Sequence, residues 1–174
     1  MTKKDIMELI IEKSKDSDID PEFLLTMANI ESAFNPNARN KFSGAAGLYQ
    51  FIPSTARAYG LRNPYDPNQA IAAVIKFTKA NAKILSGAGI QVTGANLYLA
   101  HQQGAGGAIA LYRSATRGTP LDRTIRRNIS ANGGKGMSAQ QFIDFWKKNY
   151  LSKLLKTRVL LKEHGLTLEG SNDE

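Results

Sequence analysis

Asp20-Pro21-Glu22-Phe23-Leu24-Leu25-Thr26-Met27-Ala28-Asn29-Ile30-Glu31-Ser32 is the stretch that decides how this chain folds. Asp20 is a good N-cap residue, Pro21 suits a first helical position whose N–H would be unpaired anyway, and Glu22 stands in the positive first turn. These signals predict a helix from Pro21 to about Ser32, stopped by Asn35-Pro36. Advancing about 100° per residue from Phe23 puts Ile30 at about −20°, Met27 at about 40°, Leu24 at about 100° and Ala28 at about 140°. Glu31 falls at about 80°, in the middle of that apolar arc. Desolvation disfavours the charged form of a carboxyl, so Glu31 is expected to hold its proton above the usual carboxylate range, as a general acid working near neutrality requires. The same periodicity leaves open a plainer reading, in which Glu31 meets solvent at the helix end or pairs with an arginine such as Arg39.

On the N-terminal side, Ile6, Leu9, Ile10 and Lys13 fall at helical spacing and predict an amphipathic helix from Lys3 to Lys15, ended by the polar run Ser14 to Asp18. On the other side, Asn37 to Gln50 is polar, contains glycine and has no period, so it reads as a loop with at most a short strand pair around Ala46 to Phe51. Ser54 is expected to cap a short helix ending at Gly60. Asp66-Pro67 opens a core helix running to Gly87, with Ile71, Val74, Ile75, Thr78, Ala82 and Leu85 on one face. Two helices, Gly94 to Gln103 and Gly107 to Ser114, are expected around the joint Gly104-Ala105-Gly106-Gly107, and Thr119-Pro120 is expected to start another, through Ile129. Ser138-Ala139-Gln140-Gln141 fits a capping box. Phe142, Phe145, Trp146, Leu151, Leu154, Leu155 and Val159 follow it at helical spacing up to Gly165, and Gly170 to Glu174 reads as a tail. The expected class is all-α or mostly α, with α+β allowed only to the extent of that small strand pair. Residues 1–174 read as a single domain, with additional helices over 115–165 and a tail over 166–174.

Composition removes several function classes. The chain has 174 residues, 42% hydrophobic and 22% charged, which fits a globular fold and excludes a disordered or fibrous one. It has no cysteine, so disulfides, thiolate metal sites and Cys nucleophiles are out of reach. The two histidines, His101 and His164, lack any metal-ligand spacing, and neither metal nor cofactor is expected. Gly133-Gly134-Lys135-Gly136 lacks the preceding strand and the Lys-Ser/Thr of a phosphate loop. The longest apolar stretch, Ile71 to Ile75, is far too short to cross a bilayer, and Met1 to Lys15 has neither the apolar segment nor the cleavage site of a secretory signal. With 23 Lys and Arg against 15 Asp and Glu, the net charge of +8 favours anionic polymers. On the last helix, Lys147, Lys148, Lys153, Lys156, Arg158 and Lys162 offer weak contact with anionic wall or membrane, a solvated face being the plainer alternative.

Glu31-Ser32 is followed by Asn35-Pro36-Asn37-Ala38 and then by Gly44-Ala45-Ala46-Gly47-Leu48-Tyr49-Gln50-Phe51-Ile52-Pro53 with Thr55-Ala56. With Asp66-Pro67 and Ala100-His101-Gln102-Gln103-Gly104-Ala105-Gly106-Gly107, this ordered series resembles the lytic transglycosylases related to the soluble Slt enzyme, a goose-lysozyme-related family, over about Asp5 to Leu111. The family pairs Glu-Ser at a helix end with a Gly-Leu-Met-Gln turn, an Asp-Pro helix start, and Ala-Tyr-Asn before a glycine-rich stretch. Here Tyr49 replaces the Met, His101 the Tyr and Gln102 the Asn, a variant that looks like phage versions.

The resemblance implies a lysozyme-like helical domain with a substrate cleft, acting on peptidoglycan glycan strands and leaving 1,6-anhydromuramic ends. It assigns Glu31 as the single catalytic acid, and Ser32, Tyr49, Gln50, His101 and Gln102 as substrate-binding residues. Ser32 has an alternative role bonding backbone at the helix end, Tyr49 as a core residue, and His101 as a satisfied interior residue. A phage endolysin or virion-associated enzyme, made in the host cytoplasm and acting as a monomer on the wall after release or from a virion, is the expected setting, with no nucleic-acid partner. Two rivals stay open, a hydrolytic muramidase using water and a second carboxylate, and a non-catalytic virion or secretion-apparatus protein that keeps the fold.

Overall fold

The computed structural model describes residues 1–168, so the expected tail beyond Leu168 lies outside the described residues. Among the described residues it contains helices α1 (Lys3–Ser14), α2 (Pro21–Ser32), α3 (Pro53–Ala58), α4 (Pro67–Gly87), α5 (Gly94–Gln103), α6 (Ala105–Arg117), α7 (Arg123–Ala131) and α8 (Ala139–Glu163). The only β pairing among them is two isolated antiparallel bridges, Arg39 with Ala46 and Ala46 with Phe51. The class is therefore all-α, and the strand pair considered for residues 46–51 amounts to one bridge. The chain forms two compact units, Met1–Phe77 with the residues from Ser152 on, and Thr78–Leu151.

In the first unit α1 packs on α2. Thr2 and Asp5 form a capping box at the start of α1, which holds the Asp5 carboxyl below its ordinary range through the backbone N–H and hydroxyl of Thr2. Asp20 caps α2 as expected, its Oδ1 accepting from Glu22 N at 2.9 Å. Ile6, Met7, Ile10, Leu24, Leu25, Met27 and Leu48 have no exposed surface and fill the core. The stretch of α8 from Ser152 on is tied to α2 twice. Asn29 Nδ2 donates to Thr157 Oγ1 at 3.1 Å, with both residues buried, and Arg158 grips the Glu22 carboxylate through Nε and a terminal nitrogen, each at 2.8 Å.

The second unit is built on Leu85, Leu99, Ala100, Ala108, Leu111, Ile129, Phe142 and Ile143, all buried. Helices α5 and α6 form a hairpin that turns at Gly104, whose φ of 76° is the left-handed region glycine enters without strain.

Four sequence expectations change here. Helix α6 runs from Ala105 to Arg117, so Gly106 and Gly107 lie inside it and the joint is Gly104 alone. Helix α3 begins with Pro53 at its first position after Ile52 and has no side-chain cap, so Ser54 lies inside the helix. Helix α7 starts at Arg123 and not at Thr119-Pro120, because Asp122 is the cap, its Oδ1 accepting from Ile125 N at 2.8 Å. On α8, Leu151, Leu155 and Val159 are more than half exposed, so apolar spacing there does not mark a core face. The Ser138 capping box forms as expected, with Ser138 Oγ accepting from Gln141 N and Gln141 Oε1 from Ser138 N.

Candidate active site

Glu31 lies half-buried in the last turn of α2, a turn with no basic residue. The carbonyls of that last turn are the negative pole of the helix. The chain leaves the helix through Ala33 and Phe34, both left-handed, with φ of 51° and 63°. Such geometry is strained for residues with a Cβ, and the cost is met by the bonds that fix it. Ala33 N donates to Asn29 O at 3.1 Å and Phe34 N to Ala28 O at 3.4 Å, while the Phe34 ring is buried. Gln50 is likewise left-handed, at φ 51°, so three strained positions frame one short segment of chain.

Ser32 joins the acid's helix to the 44–50 turn. Its Oγ lies 2.7 Å from Leu48 O and 3.1 Å from Ala28 O. The hydroxyl proton is thus committed to backbone carbonyls, which leaves Ser32 only lone pairs to offer a ligand. The turn itself depends on Gly47, whose φ of 83° is paired with a close approach to Pro64, because a Cβ at this position would collide with the Pro64 carbonyl oxygen.

The substrate roles expected of the turn are redistributed by its hydrogen bonds. Gln50 Nε2 donates to Ala38 O at 3.1 Å and Gly47 O at 2.9 Å, so its amide donors are used within the turn and Oε1 remains as an acceptor. As a substrate-binding residue, Gln50 is therefore left to act as an acceptor. Tyr49 is corrected outright as a sugar platform. It has no exposed surface, and its hydroxyl donates to Leu24 O at 3.0 Å on the interior of α2. Burial also holds the Tyr49 phenol well above its ordinary range, since the phenolate would be desolvated.

The remaining two predicted residues belong to the second unit, at the end of α5. His101 is half-buried and stacks on Tyr98, ring centroids 6.3 Å apart, beside an aromatic group completed by Trp146 and Tyr150. Gln102 Oε1 accepts from Gln103 Nε2 at 2.9 Å. This pairing leaves Gln102 Nε2 and Gln103 Oε1 buried with no partner among the described residues. A buried donor and a buried acceptor without partners cost about 1–3 kcal/mol each. Gln103 was not foreseen. The signal for it was two successive amides just before a glycine at a helix end.

Several other carboxylates are engaged in structure. Asp66 accepts from Asn68 N at 3.0 Å and Gln69 Nε2 at 3.1 Å, Asp144 from Gln140 Nε2 at 2.9 Å, Asp122 caps α7 and Glu22 holds Arg158. Among the described residues no group of three or more His, Asp or Glu side chains could hold a metal ion.

Residues 8–110, more than half of the chain, match the model of the transglycosylase SLT domain. The chain belongs to that family. The SLT domain match covers the acid's helix, the 44–50 turn, α4 and the Gln102–Gln103 pair, the same span over which the sequence resemblance ran. Over 64 residues the chain is 38% identical to the transglycosylase of Enterobacteria phage PRD1, covering 37% of this chain and 24% of that protein. Over 151 residues it is 28% identical to the membrane-bound lytic murein transglycosylase D of Escherichia coli K12, covering 82% of this chain and 28% of that one. The chain thus spans about a quarter of the length of these relatives. Eight helices and no sheet among the described residues are those of an all-α, lysozyme-like SLT domain.

Proposed function

We propose that this SLT domain cleaves the β-1,4 bond between N-acetylmuramic acid and N-acetylglucosamine in peptidoglycan, with Glu31 as general acid and then general base. The observation that carries the proposal is Glu31 at the negative end of α2, clamped to the 44–50 turn by Ser32 Oγ on Leu48 O. In the acid step the protonated carboxyl gives its proton to the glycosidic oxygen as that bond breaks. The carboxylate so formed takes the proton of the muramoyl C6 hydroxyl, whose oxygen closes on C1 to give the 1,6-anhydro ring. The proton returns to Glu31, and no water is consumed. Intramolecular attack by a held hydroxyl needs no second carboxyl, in keeping with the structural duties of Asp66, Asp122, Asp144 and Glu22.

Gln50 Oε1 is the acceptor the turn offers to a sugar hydroxyl or N–H. In the second unit, the free donor of Gln102 and the free acceptor of Gln103 match the C=O and N–H of an acetamido group, the polar feature both sugars share. Mass spectrometry of peptidoglycan digested by the protein tests the reaction. Anhydromuramic ends are expected, and reducing muramic ends show hydrolysis instead. A non-catalytic virion or secretion protein would release neither.

The phage setting is part of the same reading and is supported by the PRD1 relative. Holin genes beside this gene point to an endolysin and tail genes to a virion-borne enzyme. A bacterial wall-maintenance operon contradicts both.

A further inference from the structure

The excess charge of this chain is not spread over it. Residues 78–151 hold ten Lys and Arg against two Asp, Asp122 and Asp144, while the rest of the chain holds thirteen Lys and Arg against thirteen Asp and Glu. The whole +8 therefore resides in the second unit. Within it lies a cavity of about 330 Å³, on which Arg113 and Arg117 of α6 and Lys147 of α8 converge. No acidic residue lines it, and none of the three cations pairs with a carboxylate among the described residues. Three like charges around one concavity repel one another and are stabilised by a bound anion.

The other walls narrow the chemistry of that anion. Asn96 is buried, its Nδ2 donating to Gln91 O at 2.8 Å and its Oδ1 accepting from the Tyr112 hydroxyl. The cations are the charged groups that line the cavity. Ile90 and Ile109 add an apolar wall. A phosphate alone would fill a small part of this volume and leave that wall bare. An anionic head on a short apolar arm meets both surfaces.

We propose that this cavity is a binding site for a short peptide ending in a free carboxylate, with Arg113, Arg117 and Lys147 on the carboxylate and small aliphatic side chains against Ile90 and Ile109. Its source in the wall, taking the proposed function as given, is the peptide stem carried by muramic acid, whose alanine residues bring a methyl group beside a terminal carboxylate.

The probes are N-acetyl-D-alanyl-D-alanine, its C-terminal carboxamide and inorganic phosphate, titrated against the intact protein by calorimetry. The free acid should bind saturably and more weakly as salt rises, and the carboxamide should lose about tenfold or more in affinity, as for a lost charge-assisted hydrogen bond. Arg113→Gln with Arg117→Gln, and separately Lys147→Gln, should weaken the free acid by a similar factor with no loss of thermal stability, since all three side chains are exposed and repel one another. Glu31→Gln should bind the peptide as the wild type does, so a failure of the transglycosylase reading leaves this binding intact. Equal binding of acid and carboxamide, or phosphate binding more tightly than the peptide, overturns the site.

Discussion

Glu31, the proposed acid, stands where a helix ends. Its half-buried carboxyl stands at the carbonyl pole of α2, and Ser32 spends its hydroxyl proton on Leu48 O and Ala28 O. Ser32→Ala should cost about 1 kcal/mol of stability, the net worth of a hydrogen bond, and lower kcat about tenfold with KM little moved, because the acid is displaced and the sugar contacts are not. Urea denaturation and steady-state turnover of labelled glycan check the two halves. Tyr49→Phe separates a core role from a substrate role. Loss of the bond to Leu24 O should cost about 0.5–1.5 kcal/mol while KM stays put, and a raised KM would return Tyr49 to the sugar. Its pH dependence has a definite sign. A phenol whose folded pKa lies above the ordinary 10.0 stabilises the fold fully below pH 10 and loses that contribution as pH rises, so Tyr49→Phe should unfold less steeply than the wild type in alkali. Gln103→Leu should raise KM for acetylated glycan without shifting the pH profile, whereas unchanged KM would make the buried amide pair purely structural.

At the level of elements, α8 does for α2 what sequence periodicity could not show. The family match ends at residue 110, yet Thr157 and Arg158 fix the helix that carries the acid. Thr157→Val leaves Asn29 Nδ2 buried without its partner and should cost about 1–3 kcal/mol, read as a lower urea midpoint at unchanged slope. No loss would mean that the Asn29–Thr157 bond contributes nothing to the packing of α8 on α2.

Helices announced by a local chemical signal were legible. Asp20-Pro21, Asp66-Pro67 and Ser138-x-x-Gln141 each mark a start that the structure keeps. The start of α7 was misplaced because Thr119-Pro120 and Asp122 both resemble helix starts, and only the hydrogen bond to Ile125 N decides between them. Side-chain roles in the turn were less legible. Where the protons of Ser32 and Gln50 go depends on carbonyls brought in from Leu48, Ala38 and Gly47 by left-handed residues, which no periodicity encodes. Exposure of Leu155 and Val159 was equally hidden, since spacing says which residues share a face and not what covers it.

Taken whole, the chain divides into two units of different charge. The one that holds Glu31 is formally neutral, and the one that holds the Gln102–Gln103 pair carries the net +8. That charge should speed association with an anionic wall at low ionic strength and leave the chemical step unchanged, because screened long-range attraction acts on encounter. Among the described residues no helix is long and apolar enough to cross a membrane. One carboxyl, Glu31, is proposed to act twice on one glycan bond. Mass spectrometry of sacculi digested by the wild type and by Glu31→Gln tests it most directly. The wild type should release fragments ending in 1,6-anhydromuramic acid, and Glu31→Gln, equally folded, should release at least about a hundredfold less, the scale of a lost general acid. Reducing muramic ends from the wild type, or undiminished anhydro product from Glu31→Gln, would contradict that double role.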